Sequence, residues 1–549
     1  MFTRIKKSGP RKYVQLVENR REGSKTIQTV VATIGRLDIL SETGKIDQVV
    51  ESLSRFCKNS MVLAAEKRAV KSNTYRIGPS LVFERLWQES GIKGVLEGLA
   101  GERKFGFNVE RAIYLTVLHR LMSPGSDRAA DTWRKNYRID GVEGIDLHHL
   151  YRAMAWLGEP LDIGKQDGAT PFVPRCVKDI IEEGVFFSRR DLFTGMDLAF
   201  FDTTSTYFEG AGGDTIGCYG HSKDHRPDRR QMVIGVVLDG QGWPVCCELW
   251  PGNTADAKTL LPIVGRLKKQ FNIRQVCVVS DRGMISADTV EKLESGAYGM
   301  KYILGVRLRA EKAGRKAIED CCIDDFEMVH GARKKSKDPS PLKVKEVSVN
   351  GRRCIICFNE EQARKDAKSR DAMLESLGEK LRNDAKALIG NKGFRKYLAF
   401  KKGSLEIDKD KVEADASFDG YWALRTNTDF GAADVALKYK MLWMVERVFR
   451  DMKSLLETRP VYHKVDETIR GHVFCSFLAM VLRAQLEREL ERAGYDFEWE
   501  QIKTDLKMLQ ETEINNEGKT FIVRSEISGV CGKVCQAVGV ALPPTIRKI

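Results

Sequence analysis

MDLAFFDTTSTYFEG, residues 196–210, begins the part of the chain whose pattern predicts the fold class. It is a short apolar run that we expect to form a strand ending at Asp202. Five further signals follow it and indicate a hairpin, a helix, a strand, a helix and a strand, over residues 232–252, 253–271, 275–283, 285–295 and 301–309. Strands that alternate with helices in this way predict a mixed α/β sheet.

A second stretch, KYKMLWMVERVFRDMK at 438–453, predicts one helix that is apolar all round. Tyr439, Glu446 and Lys453 are seven residues apart in it and share one face at helical period. A helix of this kind is usually buried, so we expect Glu446 to be carried into an interior or a cleft. A buried carboxylate is costly unless it is paired or bound to a metal. The rest of the chain should therefore supply its partners.

Asp202 and Asp281 are the candidate partners, because each ends an apolar strand run where a doubly wound sheet presents side chains to one rim. Phosphoryl transfer with two metal ions needs acidic oxygens from several elements. One ion would activate the attacking water or 3′ hydroxyl, and the other would stabilise the leaving oxygen. Taken alone, each aspartate is better explained as a turn or cap residue. Together with Glu446, in core-like segments of a basic α/β protein, they shift the balance towards a metal site.

Charge and composition favour a nucleic-acid partner. The 549 residues include 90 Lys plus Arg against 76 Asp plus Glu, a net charge of +14, which suits a polyanion better than a membrane surface. No run reaches the roughly 18 apolar residues of a membrane span, and MFTRIKKSGPRKY has no signal-peptide core. The 13 scattered cysteines favour reduced core thiols over disulfides or zinc. The pairs considered for zinc are Cys354 with Cys357 and Cys531 with Cys535.

We predict six segments along the chain. They are a basic β-hairpin arm (1–42), a helical N-terminal DNA-binding or oligomerisation region (43–190), the first part of the catalytic core (191–309), an insertion (310–417), the second part of the core with the glutamate helix (418–485) and a C-terminal region (486–549). The arm contains nine Lys or Arg residues, and its acidic residues up to residue 36 are Glu18 and Glu22. A DNA contact and a solvated surface explain this excess of positive charge equally well. The insertion contains a basic stretch at 333–337 and a hairpin across Asn350-Gly351.

The sequence resembles a DDE insertion-sequence transposase of the insertion-sequence-four type. The similar stretches are FFDTTSTYFEG, GHSKDHRPDRRQMVIGVVLDGQGWPV, PGNTADAKTLLPIV, VVSDRGMIS, FDGYWALRTNTD, YKMLWMVERVFRDMKSLLETRPVYH and IRGHVF, with REGSKTIQTVVATIGRL near the N-terminus. The resemblance implies an RNase H-like core with a β-containing insertion. It also implies that Asp202, Asp281 and Glu446 are catalytic and hold two ions of Mg²⁺ or Mn²⁺.

The group's Tyr-x₂-Arg-x₃-Glu-x₆-Lys signature is matched at Tyr439, Glu446 and Lys453, whereas Leu442 stands at its arginine position. The resemblance implies that Tyr439 and Lys453 contact DNA phosphates. Arg450 or Lys440 would then replace the missing cation. Further candidate DNA contacts are His225, Arg226 and Arg229, in the basic loop after the first strand. A solvated surface loop explains the basic residues of this segment about as well as a DNA contact does.

The function that the resemblance implies is transposition. The protein would bind the terminal inverted repeats of its insertion sequence, cleave these double-stranded DNA ends and join their 3′ hydroxyls to target DNA. A homo-oligomer would hold both ends in a synaptic complex in the prokaryotic cytoplasm, at the nucleoid. The alternatives are an RNase H-like nuclease without strand transfer and a DNA-binding relic that no longer cleaves. The carboxylate trio disfavours the relic, and the signature and the insertion disfavour the plain nuclease.

Overall fold

The computed structural model describes the chain except residues 24, 43, 58–70, 168, 170–172, 190–195, 274, 297, 307–311, 320, 322, 330–341, 384–395, 402–403, 455, 457 and 517–518. The basic stretch predicted at 333–337 therefore lies outside the described residues. The chain divides into two compact units. Unit 1 comprises residues 1–81, 135–138 and 497–549, and unit 2 comprises residues 82–134 and 139–496. The division into six segments stays a prediction.

The strands are β1 (Phe2–Ser8), β2 (Arg11–Glu22), β3 (Lys25–Arg36), β4 (Lys71–Arg76), β5 (Leu198–Tyr207), β6 (Gln231–Asp239), β7 (Pro244–Pro251), β8 (Cys277–Ser280), β9 (Lys301–Val306), β10 (Glu327–Val329), β11 (Leu342–Val349), β12 (Arg352–Phe358), β13 (Leu398–Lys401), β14 (Ser404–Ile407), β15 (Tyr421–Thr426), β16 (Gln510–Asn516), β17 (Lys519–Arg524) and β18 (Ile546–Lys548).

The helices are α1 (Leu37–Glu42), α2 (Lys45–Ser54), α3 (Gly78–Glu89), α4 (Ile92–Gly101), α5 (Val109–Met122), α6 (Asp127–Trp133), α7 (Leu147–Leu157), α8 (Val177–Arg189), α9 (Leu260–Lys269), α10 (Ala287–Glu294), α11 (Lys312–Glu319), α12 (Glu360–Asn383), α13 (Lys409–Ala416), α14 (Ala432–Lys440), α15 (Trp443–Ser454), α16 (Asp466–Arg492), α17 (Trp499–Met508) and α18 (Cys531–Val538). Of these helices, none has the length and apolar character needed to cross a bilayer.

The described part of unit 1 contains two antiparallel sheets. β1, β2 and β3 form one of them, which confirms the predicted N-terminal hairpin and adds a strand before it. The other has the order β18-β17-β16-β4. The strand β4 lies in a region predicted to be helical throughout. Its sequence, KSNTYR, carries no apolar pattern, and β16, its partner in this sheet, lies far along the chain.

Unit 2 is built on a mixed sheet, which confirms the predicted α/β class. Within its described part, nine strands run in the order β10-β11-β12-β15-β9-β8-β5-β6-β7. The β5–β8 and β8–β9 pairs are parallel, and the other pairs are antiparallel. The predicted insertion hairpin forms β11 and β12, with positive φ at Asn350 and Gly351 as its tight turn requires. These strands extend the central sheet through β15.

The central strands are buried by helices on the sheet. Phe201, Val278 and Leu304 belong to one apolar cluster with residues of α9 and α10, among them Leu260, Val264 and Val290. Buried thiols fill part of the interior, and the cysteines weighed as zinc pairs are buried in β12 and α18, as predicted. The apolar runs in the sequence therefore mark the strands well, because both faces of these strands are covered.

Two sequence predictions about the ends of elements are wrong. Asp202 lies in the middle of β5 and not at its end, because the β-branched residues Thr203, Thr204 and Thr206 continue the strand. The segment 438–453 is two helices, α14 and α15, and not one. Backbone hydrogen bonds of 3.1 Å from Met441 to Lys438 and of 3.0 Å from Leu442 to Tyr439 span three residues and end α14.

The prediction that the glutamate helix buries Glu446 is also wrong. α15 is amphipathic, and its interior face consists of Val445, Val448, Phe449 and Met452. Trp443 is 40% exposed, and Glu446 lies on the same exposed side. The apolar residues in the sequence are thus divided between a packed face and a surface tryptophan, which leaves the carboxylate open to solvent.

Candidate active site

Asp202 and Asp281 are neighbours across two parallel strands. Phe201 of β5 is paired with Ser280 of β8, so each aspartate follows a paired position. Burial raises the pKa of Asp202 to about 6; the carboxylates of Asp281 and Asp256 add to this rise, while Lys223 and the Thr203 backbone N–H oppose it. That N–H donates to Asp202 Oδ1 over 2.7 Å. Asp281, in contrast, is exposed. The sheet therefore brings two of the three predicted carboxylates together.

Tyr439 reaches this pair from the end of α14. Its hydroxyl donates a hydrogen bond of 2.8 Å to Asp281 Oδ1. The ring lies over Gly305 of β9, where a Cβ atom would approach the tyrosine hydroxyl to 2.5 Å. Burial and the Asp281 charge both raise the pKa of Tyr439, so its hydroxyl stays protonated. The residue predicted to contact DNA phosphate thus donates to a carboxylate of the candidate metal site.

Lys453 anchors the C-terminal end of α15. Its Nζ donates to Thr204 Oγ1 over 2.8 Å and to Asp224 Oδ1 over 2.9 Å. The side chain is 18% exposed, and burial lowers the pKa of Lys453. Thr204 is two residues after Asp202 and therefore shares its face of β5. The helix of Glu446 is in this way fastened to the face of the strand that carries Asp202.

Glu446 lies in the first turn of α15, two helical turns before Lys453. α15 packs against β5 and β6. Among the described residues, no side-chain hydrogen bond or ion pair involves Glu446. The described acidic, histidine and cysteine groups with ligand atoms within 4.8 Å of one another are Asp127–His463–His472 and Asp146–His148–His149, which include none of the three predicted site carboxylates. Glu446 therefore lies on a helix that packs against the strand of Asp202, and no described contact joins it to the aspartate pair.

Sequence reasoning missed residues that surround Asp202. Asp256, in the turn before α9, accepts a hydrogen bond of 2.8 Å from Thr203 Oγ1. Lys223 Nζ donates to the Thr203 carbonyl over 2.7 Å and lies 3.2 Å from Asp256 Oδ2. Asp256 looked like an ordinary helix-start residue in NTADAK, and Lys223 like one cation of a basic loop. Only the fold reveals their contact with the strand of Asp202.

The other predicted DNA contacts lie at the surface. Arg450, Lys440 and His225 are exposed. Arg226 forms two hydrogen bonds of 2.8 Å with Asp228 and lies 5.2 Å from the centre of the Tyr207 ring. Arg229 lies 3.5 Å from Glu209 and 3.6 Å from Asp228. Of these five residues, Arg226 and Arg229 are thus held by acidic neighbours.

The residues present fit a divalent cation. Asp202 and Asp281 offer hard carboxylate oxygens, the ligands that Mg²⁺ prefers. Their mutual repulsion, with that of Asp256, contributes to the raised pKa of Asp202. A bound cation would relieve this repulsion, because its positive charge would lie between the like-charged carboxylates.

The comparison with known families decides the class. Residues 194–482, more than half of the chain, match the family model for the transposase DDE domain. The chain belongs to the DDE transposases. Residues 2–67 of this transposase match the N-terminal domain of the IS1634 family transposases. The predicted DDE insertion-sequence transposase is thus confirmed, while neither match specifies the insertion-sequence-four type. The protein is a metal-dependent DNA transposase that binds DNA and uses divalent metal.

The transposase is similar to the cryo-EM structure of the piggyBac transposase synaptic complex with hairpin DNA. The two share 10% sequence identity and a TM-score of 0.37, over 78% of this chain and 79% of the other. No curated protein matches the sequence.

Proposed function

We propose that this transposase binds the terminal inverted repeats of its own insertion sequence, cleaves the ends and joins their 3′ hydroxyls to target DNA. The observation that carries the proposal is the Asp202–Asp281 pair on parallel strands, with the helix of Glu446 fastened by Lys453 to the same face of β5. We further infer a cytoplasmic, nucleoid-associated place of action, because the proposed DNA substrate lies there.

In this proposal Asp202, Asp281 and Glu446 would hold two ions of Mg²⁺ or Mn²⁺. When bound, such ions supply charge stabilisation to the attacking and leaving oxygens of a phosphoryl transfer. The chain's own groups position the ligands. Tyr439 orients Asp281 through its hydrogen bond, and the Thr203 backbone N–H orients Asp202. Glu446 would complete the set from α15, whose exposed first turn leaves it free to approach a bound DNA end.

An RNase H-like core of the insertion-sequence-four type is the proposed architecture around this site. Its support is the central part of the sheet, where β7, β6 and β5 form an antiparallel meander. β8 and β9 then add in parallel beside β5 and are reached through α9 and α10. The strands β10 to β12 enter between this core and the glutamate helix in the chain, at the place where the group has its insertion.

Phosphate contacts are proposed at five surface residues: Arg450, Lys440, His225, Arg226 and Arg229. Tyr439 and Lys453 are also proposed as phosphate contacts, although each now binds a carboxylate, Asp281 or Asp224. A DNA phosphate would therefore have to compete with these acids. Two ends must be held together for transposition, so we propose a homo-oligomer in the synaptic complex.

The test is Mg²⁺-dependent cleavage of DNA that carries the element's ends, with wild type compared against Glu446→Gln. We expect the variant to bind the ends but to cleave them slower by orders of magnitude, because a metal-site carboxylate is removed. The matched control is Glu379→Gln, an exposed position of α12, which should cleave at the wild-type rate. Undiminished cleavage by Glu446→Gln would remove this residue from the site.

Product analysis in the same assay separates transposition from plain nuclease activity. A transposase joins the cleaved 3′ ends to a second DNA molecule, whereas a nuclease leaves free ends. Joined products from wild type support the proposal. Cleavage without any joined product at saturating target DNA would favour the nuclease.

A further inference from the structure

The loop between β5 and β6 carries two adjacent residues of opposite charge, Lys223 and Asp224, which the proposed chemistry does not use. Lys223 Nζ contacts the carbonyl and hydroxyl oxygens of Thr203 at 2.7 Å and 3.1 Å. It also pairs with Asp256 at 3.2 Å. The backbone N–H of Lys223 donates to Ser205 Oγ over 2.7 Å. Lys223 is thus bound to β5 at the two residues on either side of Thr204.

Asp224 points to a different set of partners. Its Oδ1 accepts from Lys453 over 2.9 Å, and its Oδ2 accepts from Arg459 over 3.2 Å. The side chain is 14% exposed. Lys453 also donates to Thr204, whose side chain lies on the opposite face of β5 from Thr203 and Ser205. The dipeptide therefore connects both faces of the strand of Asp202 with the last turn of the helix of Glu446.

Opposite charges hold Asp224 to the end of α15 and to Arg459. Lys453 and Arg459, both largely buried, share the carboxylate of Asp224. The guanidinium of Arg459 also lies 4.7 Å from the centre of the Tyr207 ring, at the end of β5. Removing one partner of a buried charge set leaves the others uncompensated. Removal of the Asp224 carboxylate should therefore free the end of α15, and not merely change a surface charge.

We propose that Lys223 and Asp224 form a positioning clasp for the active site. The clasp holds the C-terminal end of α15 against β5 and so fixes the distance between Glu446 and the Asp202–Asp281 pair. Asp256 is part of it, because it holds Lys223 and Thr203 on the other face of the strand. The effect of the clasp on catalysis rests on the proposed function. Its effect on the position of α15 does not.

A matched control exists in the same loop. Asp228 is 58% exposed and pairs with Arg226, which is at the surface as well. Asp228→Asn therefore removes one carboxylate from the loop without touching α15. Asp224→Asn makes the same chemical change, the loss of one aspartate carboxylate, at the residue that contacts Lys453.

The first experiment measures the reactivity of Lys453 in the full-length protein without DNA. The protein is treated briefly with acetic anhydride, and acetylation of Lys453 is quantified by mass spectrometry. We expect Asp224→Asn to raise the acetylation rate of Lys453 several-fold and Asp228→Asn to leave it unchanged. Equal rates in wild type and Asp224→Asn would overturn the clasp.

The second experiment measures single-turnover cleavage of end DNA. We expect Asp224→Asn to slow cleavage by roughly 10- to 100-fold, the cost of a misplacement of about 1 Å. Binding of end DNA without metal should not weaken, since positioning acts on the transition state and not on the ground state, and loss of the Asp224 carboxylate removes a competitor for Lys453. Asp224→Glu should recover part of the rate, and the Asp224→Asn, Lys453→Gln double variant should be no slower than Lys453→Gln alone.

The two experiments keep the two proposals apart. If wild type does not cleave end DNA, the proposed function is wrong, and the acetylation result alone decides the clasp. If wild type cleaves and both loop variants cleave equally fast, the clasp is wrong while the transposition proposal stands. Independent, additive effects of Asp224→Asn and Lys453→Gln would likewise overturn the clasp.

Discussion

At the scale of single residues, Asp202 is a carboxylate that the fold holds in an unfavourable environment. Its pKa is raised to about 6 from an ordinary value of 3.8, first by burial and then by neighbouring acids. The folded protein therefore binds a proton more tightly at this group than the unfolded chain does. The free energy of unfolding falls as the pH rises from about 4 to about 6, because folding then requires the buried charge.

This environment predicts a pH-dependent effect of Asp202→Asn. Without metal at pH 7 to 8, we expect the variant to be more stable than wild type by about 1–3 kcal/mol, since a shift of about two pKa units is involved. The advantage should vanish below pH 4, where wild type is protonated in both states. Urea unfolding in EDTA across this pH range measures the difference. Added Mg²⁺ should stabilise wild type and not the variant.

Asp288→Asn, an exposed position in α10, is the control and should show no such pH dependence. A stability difference between Asp202→Asn and wild type that is the same at pH 4 and pH 8 would contradict the raised pKa.

At the scale of elements, the break between α14 and α15 places Tyr439 and Glu446 on separate helices. Each is set by its own contacts, Tyr439 by Asp281 and the end of α15 by Lys453. Leu442 lies at the break and is 9% exposed. The position at which the group carries an arginine therefore faces the interior here, and a leucine fits that environment.

Leu442→Arg tests whether this leucine stands in for a functional cation or is a packing residue. We expect the substitution to lower the free energy of unfolding by about 1–3 kcal/mol, because it removes apolar burial and forces a charge into the interior. It should not accelerate cleavage of end DNA. Leu442→Met, which conserves volume, should cost less than about 1.5 kcal/mol. An arginine variant that is as stable as wild type and cleaves faster would show that the missing cation limits activity.

Some elements and contacts of this fold can be predicted from the sequence, and others cannot. The bounds of helix α5 are marked locally in the sequence, because Asn108 caps its start and Ser123 and Pro124 follow its end. The break at Met441 was not predictable, because neither glycine nor proline marks it. Lys223 and Asp256 were missed because their contacts join segments that are distant in the chain. Such contacts are a property of the sheet order, and no local pattern encodes them.

At the scale of the whole molecule, the net charge of +14 is unevenly distributed. The sheet β1–β3 and its turns contain nine Lys or Arg and two Glu in residues 1–36. Most of these side chains are exposed. Exposed cations on a narrow sheet suit the phosphate backbone of DNA, and neutralised phosphates release bound counterions.

Charge removal from this sheet should therefore weaken the salt dependence of DNA binding. The variant replaces four exposed cations by glutamine: Lys6, Lys7, Arg20 and Arg21. We expect the slope of log K against log salt to become shallower by about 2 to 4, since each phosphate that is no longer neutralised lowers it by about 0.9. The control replaces four exposed cations of α12: Arg364, Lys365, Lys368 and Lys380. Equal slopes for both variants, measured by fluorescence anisotropy between low and moderate salt, would exclude the sheet as a DNA-binding surface.

The discontinuity of unit 1 has a consequence for the order in which the protein is assembled. β4 ends at residue 76, and its partner β16 begins at residue 510. At about 5–20 residues per second, a ribosome needs on the order of 20–90 s to make the chain between them. During that time β4 presents an unpaired edge on the nascent chain, which is a site for wrong pairing. The strands β1 to β3 have no such delay, since each pairs with a neighbour in sequence. The N-terminal sheet can thus be complete while the sheet that contains β4 still waits for its partner.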